Sequence, residues 1–400
     1  MFELLRHVRK NLPLAKKALL MRVYITLHHF APIKAVDECD IVLKKLKQYK
    51  MVDDRPFCLS IMELKAHALM NAGLYPDGEI LLKEIQADWL CNKEILSDET
   101  LFDLYDRLAA VYRAFNLIDL SKTYNTLSIT LADKLDDNRL RALAYRTKFK
   151  ITLYPNMDLS SESLRKSIEA TALMPSKRIE TDNSLDVCAL EILSNSTVHQ
   201  DKLILKLNSM LQDIEANNLH RAQIHCFFLL AICNLLKSEE KATLLAKEYV
   251  DRAINLSTSY GIVGYLWRLY NLQAIIGIRM GFDSQHIYKI FFTVFDILKK
   301  QGLLYIGNRD ACEGNILALS NIGYYLQERK FESQFYQTMS LVTFAGQEYS
   351  AYPNQNLSDN PVNTFLVQQY AKARKREILF AQNTPSNLLW DTQTRYLLIL

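Results

Sequence analysis

Apolar residues recur at helical spacing along most of the chain. Leu14, Ala18, Met21, Ile25 and Leu27 form a first stripe that stops before Ala31-Pro32, where a proline suits a new helix start. Val36, Cys39, Val42, Leu43 and Leu46 mark a second helix, so the two make one hairpin. The same form repeats at 57–72 with 76–90, at 98–115 with 117–134 and at 138–153 with 160–173, about forty residues per hairpin. Asp98 and Glu99 suit a helix start, because exposed N–H groups favour both an acceptor side chain and negative charge.

The pattern lapses over MPSKRIETDNS (174–184), where Pro175 follows a helical run, and this is the best internal boundary. Beyond it the spacing predicts helices near 184–195, 199–216, 219–237, 239–259, 264–280, 284–301, 310–328 and 331–348. SAYPNQNLSDNP (350–361) reads as a linker, 362–381 as one more amphipathic helix, and LLWDTQTRYLLIL as an end able to cover the last apolar face. The expected architecture is all-α, an α-solenoid of stacked antiparallel hairpins. It divides into hairpins over 1–174, hairpins over 184–349, and a capping helix and tail over 362–400.

Composition sharpens this picture. Hydrophobic residues make up 49% of the 400, enough for a continuous core, while 11 Gly and 9 Pro are too few for a strand-rich fold with many tight turns. Seven cysteines, Cys39, Cys58, Cys91, Cys188, Cys226, Cys233 and Cys312, contain no CxxC pair and read as reduced thiols in helices. No apolar run approaches the ~20 residues of a membrane span, and the basic start has no long apolar segment, so a cytoplasmic protein is expected. Residues 1–50 hold eleven Lys/Arg against four Asp/Glu, a local excess of +7 within a net charge of +4.

Several hairpins share a sequence of small, large, turn, small, large. Ala66, Leu69, Gly73, Tyr75, Gly78 and Leu82 carry it best, with Ala109, Tyr112 and Ser121 in a second instance, and Gly323 and Phe331 in a third. KATLLAKEYVDRAINLS (241–257) reads like a second helix alone. In these residues the chain resembles the tetratricopeptide-repeat superfamily in a degenerate form, over residues ~14 to ~349. The resemblance implies a superhelix with small residues at helix crossings and large ones between stacked pairs. The irregular intervals are similar to those of helical sensor regions in bacterial multidomain regulators and signal-transduction ATPases.

Catalytic signatures are missing. GxxxxGK[ST], GxSxG, HExxH and a Gly-rich dinucleotide turn do not occur, so no cofactor is expected. His28-His29 and His220 with His225 are poorly spaced for one metal, and His225 beside Cys226 diverges on a helix, so neither a metal site nor a thiol–imidazole dyad is expected. The carboxylate pairs Asp53-Asp54, Asp136-Asp137 and Glu239-Glu240 fall at helix starts or in connections, where helix N-terminal charge and solubility account for them ahead of acid–base catalysis.

GYLWRLYNLQAIIGIRMGF (264–282) and QGLLYIGNRDACEGNILALSNIGYYL (301–326) are the candidate ligand-binding groove. Trp267, Arg268, Tyr270 and Asn271 share a turn, and Asn315 and Asn321 are polar among apolar residues. Asn amides grip peptide backbone and Arg pairs with carboxylate or phosphate; the competing role for these residues is packing and capping. The leading expectation is a non-enzymatic scaffold that binds a protein, peptide or small signal on its concave face. Nucleic-acid binding through residues 1–50 is a second reading, and an enzyme assembled from distant helices a third.

Overall fold

The computed structural model describes residues 12–302, apart from 30, 49–53, 116, 154–156, 175, 195–199 and 238, together with residues 394, 397 and 398. Among these, fourteen α-helices form seven hairpins and no strand occurs: α1 Leu12–His29, α2 Pro32–Gln48, α3 Arg55–Asn71, α4 Tyr75–Cys91, α5 Asp98–Ala114, α6 Ile118–Lys134, α7 Asn138–Thr152, α8 Met157–Ala172, α9 Lys177–Ser194, α10 Gln200–Ala216, α11 His220–Leu235, α12 Glu240–Tyr260, α13 Leu266–Arg279 and α14 Ser284–Lys300. A 3₁₀ turn, Val263–Tyr265, precedes α13. Helices expected beyond residue 302, with the linker and the helix at 362–381, lie outside the described residues. Leu397, in the Leu-rich end, is buried in the main core.

Helix boundaries follow local chemistry. Asp54 caps α3 by accepting from the Phe57 amide, and Asp137 caps α7 by accepting from Arg139 and Leu140. At α5 the cap is Ser97, whose Oγ accepts from the Thr100 amide; Asp98 and Glu99 occupy the first turn instead. The α3–α4 turn is set by Gly73, at φ +79°, with the Gly73 amide bonded to the Met70 carbonyl and the Leu74 amide to that of Leu69.

Within a hairpin the helices approach over small residues. A Cβ at Gly78 would stand 3.0 Å from Met70 Cγ and 3.3 Å from the Ala66 carbonyl oxygen, so the α3–α4 crossing has no room for a larger side chain. Ser121 Oγ donates to the Ala109 carbonyl at 2.7 Å across α5–α6, and Ser167 Oγ donates to the Ala142 carbonyl at 2.8 Å across α7–α8. Leu82, Leu104, Leu108 and Phe149 fill the space between hairpins, in a main core that continues from Leu59 to Leu298.

The first helices α1, α3, α5, α7, α9 and α11 each pack on the next first helix as well as on their own partner. Second helices make no comparable pairs among the described residues, so the first helices form the tighter, inner wall. The wall also meets itself. The α3 end packs against the 3₁₀ turn, Arg221 donates to Asn71 at 2.9 Å, Arg178 donates to the Tyr24 hydroxyl at 3.4 Å, and Gly73 and Pro76 lie against Gln301 and Gly302.

One helix differs from its expected extent. The lapse over 174–184 predicts a start at 184, whereas α9 begins at Lys177. Its first two turns hold one apolar residue, the buried Ile179, and Thr181, Asn183 and Asp186 are buried as well, the last two in hydrogen bonds to polar partners. Asn183 donates to Thr171 Oγ1 at 3.0 Å and accepts from Ser167 Oγ at 3.0 Å. A periodicity of apolar residues cannot register a helix whose buried side is hydrogen-bonded.

Candidate functional site: a charged inner wall

Six first helices present ionisable or polar residues three or four apart on one face. These are Glu63, His67 and Asn71 on α3; Asp103, Asp106 and Arg107 on α5; Arg146 and Lys150 on α7; Arg178, Asp182 and Asp186 on α9; Arg221 and His225 on α11; and Arg268 on α13 beside Tyr265. Arg113 lies two turns beyond Asp106 on the same face of α5, close enough to Asp186 and Arg221 to feel their charge.

The wall divides into two electrostatic zones. At the α3–α5 end, Arg107 serves three carboxylates: its Nε stands 3.4 Å from Glu63, its Nη1 3.1 Å from Asp106 and its Nη2 3.9 Å from Asp103. Burial, with Asp103 beside it, pushes the Glu63 carboxyl up to about 8 against the pull of Arg107. Thr147 Oγ1 donates to Asp106 at 2.7 Å and ties this zone to α7.

The second zone carries mainly positive charge. Arg146 donates from Nε to Asp186 at 2.5 Å and from Nη1 to Asp182 at 2.8 Å. Burial works to raise both carboxyls, but Arg146 and its basic neighbours hold them below the usual range. Both aspartates bond to Arg146, and their charge also reaches Lys150. Burial, then Arg146, brings Lys150 down to about 7, and burial, then Arg113, brings Arg268 down to about 10. Arg113 is lowered too, by burial, with Arg221 adding to it. Burial likewise lowers His225 to about 4, and its ring lies 5.6 Å from that of Tyr265.

A small cleft lies between α1–α3 on one side and α9–α11 on the other. Leu27, Pro32, Asn71, Arg178, Asp182 and Arg221 are among the residues lining it. Asp182 and Arg221 line the cleft and also act on the inner wall: Arg146 holds the Asp182 carboxyl down, and the charge of Arg221 works against that of Lys150.

The residues expected to form the groove are placed unevenly. Arg268 lies in the cationic zone, its guanidinium 5.0 Å from the Trp267 ring and 5.6 Å from that of Tyr265. Trp267 is buried in the main core, and Tyr270 packs partly buried against it. Asn271 is fully buried and donates to the Trp267 carbonyl at 2.9 Å, within its own helix. Asn315 and Asn321 lie outside the described residues. Arg113, Arg146, Lys150, Asp182, Asp186 and Arg221 were not signalled by apolar periodicity. Their signal is a second stripe of charge at i, i+4, as in Arg178–Asp182–Asp186, within a segment that reads as a break.

The other candidate chemistry settles into structural positions. His220 stacks on Tyr260 with ring centroids 3.8 Å apart, away from the Tyr265 contact of His225. Cys226 Sγ donates to the Leu207 carbonyl, and burial pushes its thiol up to about 12. Among the described residues no group of three or more His, Cys, Asp or Glu is placed to hold a metal, and no helix is long and apolar enough to cross a membrane.

The class defined by this architecture is a helical repeat-like array of stacked helices. No protein-family model matches the chain, and no curated protein matches it.

Proposed function

We propose that the chain is a degenerate member of the tetratricopeptide-repeat superfamily and acts as a non-enzymatic scaffold, seating a protein segment or small signal on its inner wall as the sensor part of a bacterial regulator. The observation that carries this reading is the concentration of ionic residues on the inner faces of α3, α5, α7, α9, α11 and α13. Burying charge costs several kcal/mol per ion even after relaxation, and apolar side chains would hold the helices together at least as well. A wall kept charged against that cost is arranged for recognition. The contacts between the two ends supply a readout, since a guest seated inside changes the balance of forces on the seam where they meet. Buried, reduced Cys39, Cys58, Cys188, Cys226 and Cys233 accord with a cytoplasmic location.

Hydrogen exchange tests the reading. The protein purified from its native cells with whatever guest accompanies it is compared with the emptied protein. Protection is expected on α5, α7, α9 and α11, and guest-dependent protection restricted to α4, α6, α8 and α10 would place binding on the outer face and refute it.

A further inference from the structure

The seam between distant hairpins also builds a site for a small molecule, one that rests on the inner wall being a binding surface and names a signal for one part of it. The cleft there draws its lining from both sides: Leu27 of α1, Pro32 of α2 and Asn71 of α3 meet Arg178 and Asp182 of α9 and Arg221 of α11. Its two arginines are bonded to neutral acceptors, for Arg178 donates to the Tyr24 hydroxyl at 3.4 Å and Arg221 to the Asn71 side-chain carbonyl at 2.9 Å. Among the described residues neither guanidinium forms an ion pair, and Asp182, one turn along α9 from Arg178, bonds to Arg146 instead. A guanidinium has five N–H donors, so most of those on Arg178 and Arg221, with the NH2 group of Asn71, are left for a guest. We propose that this cleft is a site for a small aliphatic monocarboxylate, which ties α1–α3 to α9–α11 when bound.

Charge and shape select that class. Arg146, Arg178 and Arg221 stand against Asp182 and Asp186, an excess of one positive charge, which a single carboxylate neutralises. A phosphate group brings nearly two charges, and the second would lie uncompensated near Asp182 in the same lining. The two carboxylate oxygens can accept from guanidinium forks on α9 and α11 and from the Asn71 amide on α3, in charge-assisted bonds stronger than those the neutral acceptors give. Beside these donors, Leu27 and Pro32 on one side and Leu219 and Ile262 on the other are buried and apolar, so an aliphatic body is held between the two sides. With about 480 Å³ of space, its open mouth included, the cleft has the size of a small-ligand site and admits a short chain, not a folded segment.

Calorimetry on the intact protein, at neutral pH and fixed ionic strength, tests the site with 3-methylbutanoate, its neutral amide, acetate, inorganic phosphate and a tripeptide ending in leucine. Saturable binding of 3-methylbutanoate is expected, at least tenfold tighter than that of acetate or phosphate, with no binding of the amide. Arg178→Gln and Arg221→Gln are each expected to weaken it at least tenfold. Arg221 is exposed, so its variant keeps the assignment testable if Arg178→Gln misfolds. Hydrogen exchange gives a second reading: 3-methylbutanoate is expected to slow exchange in the last half of α3 and the first half of α11 together, and Arg221→Gln to abolish that protection. Absence of saturable binding, acetate, phosphate or the amide binding as tightly, unchanged binding in both variants, or protection confined to one side of the seam would overturn the site. Tighter binding of the tripeptide would overturn the assignment of a small acid in favour of a peptide end. Protection of α5, α7, α9 and α11 by a co-purified guest that persists through such results would leave the scaffold reading standing, so the two failures are distinguishable.

Discussion

Glu63 and Lys150 show how a single buried group couples this fold to pH. The folded carboxyl of Glu63 titrates near 8 against an ordinary 4.5, so the folded state keeps a proton that the unfolded chain releases between those values. Its contribution to stability is complete below about 4.5 and is lost as pH rises to about 8. Lys150 acts in the opposite sense: titrating near 7 against 10.5, it destabilises the folded state below 7, and that cost is relieved as pH climbs towards 10.5. The expected outcome for Glu63→Gln is a melting temperature that does not share the parent's fall between pH 5 and 8, read by thermal denaturation across that window. Parallel pH profiles for the two proteins would show that Glu63 stays ionised beside Arg107.

At the scale of elements, the hairpins depend on close crossings and on polar clamps. Gly78→Val places a branched side chain where a Cβ alone already meets Met70 and Ala66, and is expected to cost about 1–3 kcal/mol in urea unfolding through overpacking of α3 on α4. Asp186→Asn weakens the clamp that Arg146 makes between α7 and α9, with a loss of about 3 kcal/mol or more expected because the guanidinium is left partly uncompensated. Pairing it with Arg146→Met should recover part of that loss, and a double-mutant cycle measures how much.

These two cases also separate what the sequence makes legible from what it hides. Ala66, Gly73 and Gly78 announce their hairpin because small residues at fixed intervals have a steric cause that is local. Helix α9 does not announce its first turns, since Thr181, Asn183 and Asp186 are buried against Ser167 and Arg146, partners that only the fold brings near. The expected groove on α13 was half visible for the same reason. Arg268 reaches the wall, but Asn271, polar in sequence, spends its amide on its own helix.

The whole molecule is held in register by a seam between distant hairpins. Gly302, at φ +64°, lies so close to Pro76 that an added Cβ would stand 2.1 Å from the ring carbon Cγ. Gly302→Leu is therefore expected to part the end of α14 from the start of α4, giving a larger radius of gyration by small-angle X-ray scattering while the helical circular dichroism signal is retained. An unchanged radius would show that the seam is carried by Asn71–Arg221 and Tyr24–Arg178 alone.

That seam also constrains how the chain comes into being. Arg178 reaches back 154 positions to Tyr24, and Arg221 reaches back 150 to Asn71. A ribosome releases the early hairpins long before those arginines exist, so α1 to α4 must stand for that interval on their own stacking, with one flank bare. Stalled or truncated chains ending before Lys177 lack both arginines that reach that flank, and chaperone dependence should concentrate in this window of synthesis.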